Sequence, residues 1–124
     1  MNIGPIARKW FIWKYGKPDD KLYASRFYTP DISYPKKAVW FIQIPMHAIN
    51  IDNYDYVNLL CQKEVDGIEF YYLKVPVKFI HEQLDKFDRI KDNIALYLSA
   101  DPKRLFIEER GKDRVSFKEF IVGE

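Results

Sequence analysis

The chain is short of the residues on which most small-enzyme chemistry is built. It holds one cysteine, two histidines and five glycines in 124 residues. A lone Cys61 closes no intrachain disulfide and anchors no zinc site by itself, which leads us to expect a reducing, cytoplasmic setting. His47 and His81 are too far apart in sequence to form a metal-ligand pair of the usual spacing, and neither has a second histidine nearby. Phosphate-cradling loops are missing, since neither G-x-G-x-x-G nor G-x-x-x-x-G-K-[ST] occurs. No apolar run approaches the roughly 20 residues of a spanning helix. The opening MNIGPIARKWF lacks the basic start and apolar stretch of a secretory leader. A soluble protein with no membrane partner is therefore expected, and nothing calls for a cofactor.

Charge of one sign is also scarce. Twenty basic residues face 18 acidic ones, for a net +2. That balance is too mild to imply a polyanionic partner by itself. Its distribution is less even, because residues 1–40 carry 8 basic and 3 acidic side chains while residues 41–100 carry 6 and 9.

What the chain does have is aromatic residues: nine Tyr, nine Phe and three Trp, 17% of the sequence. Each ring buries about 150–250 Å², so a compact core is easily supplied and an ordered chain is expected. The length suits one domain over residues 1–124.

Most of the sequence reads as strand. KAVWFIQI (37–44) is apolar at nearly every position and lies between Pro35 and Pro45, the pattern of a strand covered on both faces. YVNLLCQ (56–62) and IEFYYLKV (68–75) flank Asp66-Gly67, a hairpin turn. The period then changes: Val77, Ile80, Leu84, Phe87 and Ile90 form a helical stripe, with Glu82–Lys86 and Asp85–Arg89 as i, i+4 pairs. NIALYLSA (93–100) alternates Ile94, Leu96 and Leu98 against Ala95, Tyr97 and Ser99. RLFIEE and RVSFKEFIV flank RGKD, which reads as a second hairpin with a solvated, charged tip. The expectation is a single α+β domain. It has an antiparallel curved sheet of about six to eight strands, hairpins near 56–75 and 104–122, and one main helix near 77–90 packed on one face.

Catalytic constellations are weak. Asn50, Asp52, Asn53 and Asp55 cluster before a strand, but Asx residues there usually bond their own backbone as a turn. A metal-dependent nuclease would pair Pro30-Asp31 with an acid and a lysine on the next strand. Gln43 and Pro45 stand where those would fall, and proline holds no charge. Glu108, Glu109 and Lys112 have the wrong spacing and lie across a turn. A small metal-dependent hydrolase, a nuclease using Asp52 and Asp55, is thus the alternative reading.

The leading reading is a binding or accessory module that contacts nucleic acid or protein through the N-terminal basic–aromatic half. Tyr23, Arg26, Tyr28, Lys36 and Lys37 are the expected contact residues. Bases stack on rings in a basic groove, and Tyr, Trp and Arg are equally the residues of protein hot spots. A homodimer through an exposed sheet edge is a third expectation. The stretch ARKWFIWKYGK (7–17) reads best as a strand buried on both sides. A helical alternative ends at Gly16, and either way Trp10 and Trp13 are expected inside.

Overall fold

A computed structural model describes residues 2–123, and its architecture is α+β. In chain order the strands are β1 (Leu22–Ser25), β2 (Phe27–Tyr28), β3 (Val39–Pro45), β4 (Tyr56–Gln62), β5 (Phe70–Pro76), β6 (Asp88–Ile90), β7 (Asn93–Ser99) and β8 (Ile121–Val122). Two helices join them, α1 (Ile3–Tyr15) and α2 (Val77–Glu82). The strands form two four-stranded sheets rather than one, ordered β1-β4-β5-β8 and β2-β3-β7-β6. β1 runs parallel to β4, and the other pairings are antiparallel.

The two sheets enclose the main core. Trp40, Ile42 and Ile44 of β3 pair with Leu98, Leu96 and Ile94 of β7. They bury their shared face against Val57, Leu59, Cys61, Leu73 and Val75 of the first sheet. The alternation in β7 noted from the sequence is what sets this face. The hairpin at 56–75 forms as expected, with Leu59 opposite Leu73 and Asp66 at φ 60 in its turn.

One run of chain crosses from sheet to sheet at Arg26, between β1 and β2. Two buried polar side chains stitch that crossing. Ser25 Oγ accepts the Phe41 N–H at 2.9 Å and donates to the Arg26 carbonyl at 2.7 Å. Gln62 accepts the Phe27 N–H and donates to the Gly67 carbonyl, each at 2.9 Å, while its own carbonyl takes the Trp40 indole N–H at 2.7 Å. The polar groups are buried but satisfied, as burial demands.

The stretch 7–17 corrects the strand reading. Ile3, Ile6, Ala7, Trp10 and Phe11 fall at helical spacing, and that stripe packs on Leu60, Phe70 and Tyr72 on the outer side of the first sheet. Asn2 caps the N-terminus by accepting the Gly4 N–H at 3.1 Å. Gly16 ends the helix at φ 86, donating to Ile12. Trp10 is half-buried, its ring 5.5 Å from that of Phe70. Trp13, expected inside, is 82% exposed, because it lies on the helix face turned from the sheet.

The segment 77–90 is also shorter as helix than its stripe suggests. α2 ends at Glu82, a 3-10 turn covers Leu84–Lys86, and Asp88–Ile90 becomes strand β6. Pairing with β7 around Lys91, at φ 55, overrides the helical period. Lys86 then meets Asp113 at 3.6 Å instead of a helical Glu82 partner. The pairing expected over 104–122 is reduced to one bridge, Ile107 opposite Ser116, and β8 pairs with β5. Left-handed backbone at Phe106, Asp113 and Arg114 bends the chain away from an extended ladder. Among the described residues no helix is long and apolar enough to cross a membrane.

Candidate binding face

The helix α1 covers the outer side of the first sheet. On the outer side of the second sheet lie the loop 29–38 and Arg110, and they leave aromatic rings in reach of solvent. Strand register places Tyr28 beside Val39, Phe41 opposite Tyr97, and Ala95 between Gln43 and Asp88 on this face. Phe41 and Tyr97 stack with centroids 4.6 Å apart and planes at 26°. Tyr34 leans from the loop onto Tyr97 at 5.9 Å, and the Arg110 guanidinium lies 4.6 Å from the Tyr34 ring centre. Tyr34 is 67% exposed and its loop neighbour Ile32 63%. Together with Tyr28, Val39 and Ser33, these residues line a depression of about 200 Å³.

The face is held by two buried carboxylates. Glu108 accepts backbone N–H groups from Tyr97 at 2.9 Å, Arg110 at 3.1 Å and Gly111 at 2.5 Å. It thereby fixes Arg110 beside Tyr34. Glu109 takes two bonds from Arg104, at 2.7 and 3.2 Å, and one from Lys37 at 3.0 Å. Burial would raise the Glu109 carboxyl, but the bonds from Arg104 and Lys37 outweigh it and hold the group below the usual range. Ser33 closes the loop, donating to the Lys37 carbonyl at 2.6 Å and accepting its N–H at 3.0 Å. Tyr97 has its phenol raised, chiefly by burial, with Arg110 opposing the shift.

The expected contact residues separate. Tyr28 lies on this face, and Lys36 and Lys37 lie in its loop. Lys37 is committed to Glu109, and Lys36 Nζ sits 3.4 Å from the Asp31 carbonyl. Arg26 is exposed at the sheet crossing, lining a neighbouring depression with Phe27, Ile32 and Val65. Tyr23 belongs to the first sheet, half-buried against the main core, and burial together with nearby Tyr54 raises its phenol.

Phe41, Tyr97 and Arg110 were not among the expected contacts. Phe41 sits in the near-continuous apolar run of β3, which hid its outward direction. Tyr97 was legible, because its alternation sets it opposite Ile94, Leu96 and Leu98.

The residues of the alternative chemistry do not converge. Asp52 and Asp55 are exposed in the loop after the 3-10 turn Met46–Ile49, where Asn50 accepts the Asp52 N–H at 2.9 Å in an Asx turn. Among the described residues no three His, Cys, Asp or Glu come together in a group fit to hold a metal ion. His47 is exposed, and His81 Nε2 binds the Ile49 carbonyl at 2.5 Å. Cys61 is fully buried, which pushes its thiol up and away from nucleophilic use. Glu108 and Glu109, read as a solvated tip, are instead interior acceptors. Comparison with protein-family models, with curated proteins and with solved structures finds no match to this chain.

Proposed function

We propose that the chain is a binding module that takes an exposed segment of a partner protein on the open face of the β2-β3-β7-β6 sheet. The observation that carries this reading is the depression between Tyr28, Ile32, Tyr34, Phe41 and Tyr97 with Arg110 at its rim. Its volume, about 200 Å³, suits one or two apolar side chains as anchors. Tyr and Arg dominate interface hot spots because they combine large contact area with fixed polar groups.

Two features favour protein over single-stranded nucleic acid at this face. The rings stack on one another, and Arg110 covers Tyr34, so few ring faces are left for bases. Two of the nearby cations are also matched, since Arg110 lies 3.8 Å from Asp88 and Lys37 is held by Glu109, which leaves Lys36 on the Asp31 carbonyl. Little positive charge remains to release counterions from phosphates.

The test is a peptide display selection against the whole chain, followed by binding titrations of the selected peptides. Peptides with an aliphatic or aromatic anchor are expected, losing at least about tenfold in affinity on Tyr34→Ala or Arg110→Ala. Fluorescent single-stranded oligonucleotides titrated at several salt concentrations form the second arm. Steeply salt-dependent oligonucleotide binding that Tyr34→Ala abolishes would transfer the site to nucleic acid. Peptides that bind equally well to both variants would remove the face from consideration.

A further inference from the structure

A second surface is built from two elements the binding face does not use. The outward side of α1 carries Trp13, 82% exposed, with Ile12 half-exposed beside it. Arg8 and Lys9 lie one turn earlier on that side. Over residues 3–17 the chain has four basic residues and no acidic one. The β4–β5 hairpin tip, residues 63–69, has the opposite balance, three acidic residues against one basic, Lys63, whose ammonium lies over the Tyr71 ring. Ile68 is 73% exposed and Val65 54%, flanked by exposed Glu64, Asp66 and Glu69. Among the described residues none of these three acids, and neither Arg8 nor Lys9, enters an ion pair within the chain.

We propose that this surface binds a second copy of the chain, the acidic apolar tip of each copy docking on the basic apolar face of α1 in the other. Charge complementarity selects the occupant. Each patch is apolar at its centre and charged at its rim, and the rims are of opposite sign.

The placement of the two patches suits a twofold pair. Ile3, at the start of α1, lines the same depression as Val65 of the tip. Trp13 stands ten residues along the helix from Ile3, about 15 Å away at 1.5 Å per residue. Two copies related by a twofold axis therefore place tip on helix twice. Such a self-complementary contact closes as a dimer instead of propagating as a fibre. The tip also gains an aliphatic contact for Ile68, which otherwise faces water. This surface adjoins the open sheet face at Ile32 but makes no use of Tyr34, so Tyr34→Ala leaves it intact.

The test is the mass of the full chain in solution by sedimentation equilibrium, from low micromolar to about 1 mM, where even a weak dimer of millimolar affinity registers. A concentration-dependent rise towards twice the chain mass is expected. Trp13→Ala should weaken the dimer about tenfold or more, as a central tryptophan anchor does. Arg8→Glu with Lys9→Glu should be monomeric, as should Glu64→Lys with Glu69→Lys, which spares Asp66 and its left-handed turn. An equimolar mixture of these two double variants should recover the dimer, because both contacts regain opposite charge. All of these residues are exposed, so circular dichroism should show unchanged folding. A wild-type chain that stays monomeric, or a dimer indifferent to Trp13 and to both charge reversals, overturns the proposal. It is also overturned if the helix face instead binds anionic vesicles or oligonucleotides while the mass stays that of one chain.

Discussion

Replacing Glu108 by alanine tests how the open sheet face is held. The side chain is 1% exposed and accepts three backbone N–H groups, from Tyr97, Arg110 and Gly111. Each part-buried N–H left without its acceptor costs about 1–3 kcal/mol, more when the lost acceptor was charged. Arg110 is exposed, so water takes over its N–H at little cost. The Tyr97 and Gly111 donors are less accessible, and their loss sums to about 3–4 kcal/mol. Against a usual domain stability of about 5–15 kcal/mol this is a large fraction. With a urea slope of about 1–3 kcal/mol/M, the midpoint should fall by about 2 M. Glu108→Gln keeps one acceptor oxygen but turns an NH₂ towards a donor, so its loss should be intermediate. Urea titration followed by tryptophan fluorescence reads both, since Trp40 lies in the main core. If Glu108→Ala unfolds within about 0.5 kcal/mol of wild type, the carboxylate does not hold this face together.

Gly111→Ala should also destabilise, by about 2–4 kcal/mol, because an added Cβ would stand 2.0 Å from the Lys86 carbonyl oxygen. That carbonyl already accepts the Lys112 N–H at 2.7 Å, so the same titration should show the bond lost with the clash. Glu109 carries a pH signature: its folded carboxyl is lowered, so its stabilisation is present above the unfolded carboxylate range and lost as pH falls through the lowered folded value. In thermal melts from pH 7 downward, Glu109→Gln should be less stable at neutral pH and should flatten that part of the acid profile. Tyr72→Phe removes a hydroxyl that donates to Asn58 Oδ1 at 2.5 Å, leaving the amide oxygen unmatched at a cost of about 1–2 kcal/mol. Burial, with smaller contributions from Tyr15, Asp20 and Asp19, pushes this phenol up to about 12. Its stabilisation is therefore present below pH 10 and lost as pH rises towards 12, which melts of Tyr72→Phe at high pH should no longer show.

Local pattern carried much of the architecture. The α+β class, the alternation of β7 and the hairpin of β4 and β5 were all legible, because each rests on a period or a turn residue within a few positions, whereas β3 reads as covered on both faces and in fact leaves Gln43 exposed and Phe41 half-buried. The stretch around Trp10 and Trp13 was ambiguous for the same reason. Ile6, Trp10 and Phe11 satisfy a helix, yet the unbroken apolar run suits a strand too. The choice falls to Leu60, Phe70 and Tyr72, which lie about 50 to 60 residues away and supply the surface that only a helical stripe covers.

Tertiary pairing also decided where local preference was simply overruled. The stripe from Val77 to Ile90 is periodic as a helix, but β7 has a free edge, and pairing Asp88–Ile90 there satisfies backbone groups that a longer helix would leave open. The charged run EERGKDR looks solvated to any reading of composition. Only the packed chain shows that Glu108 and Glu109 point inward, where backbone N–H groups, Arg104 and Lys37 wait for them. By itself, the sequence determined which residues were apolar and at what period, and hence the class of fold. The structure alone decided which aromatic rings stay at the surface, because that depends on which sheet face the single long helix covers and which it leaves open.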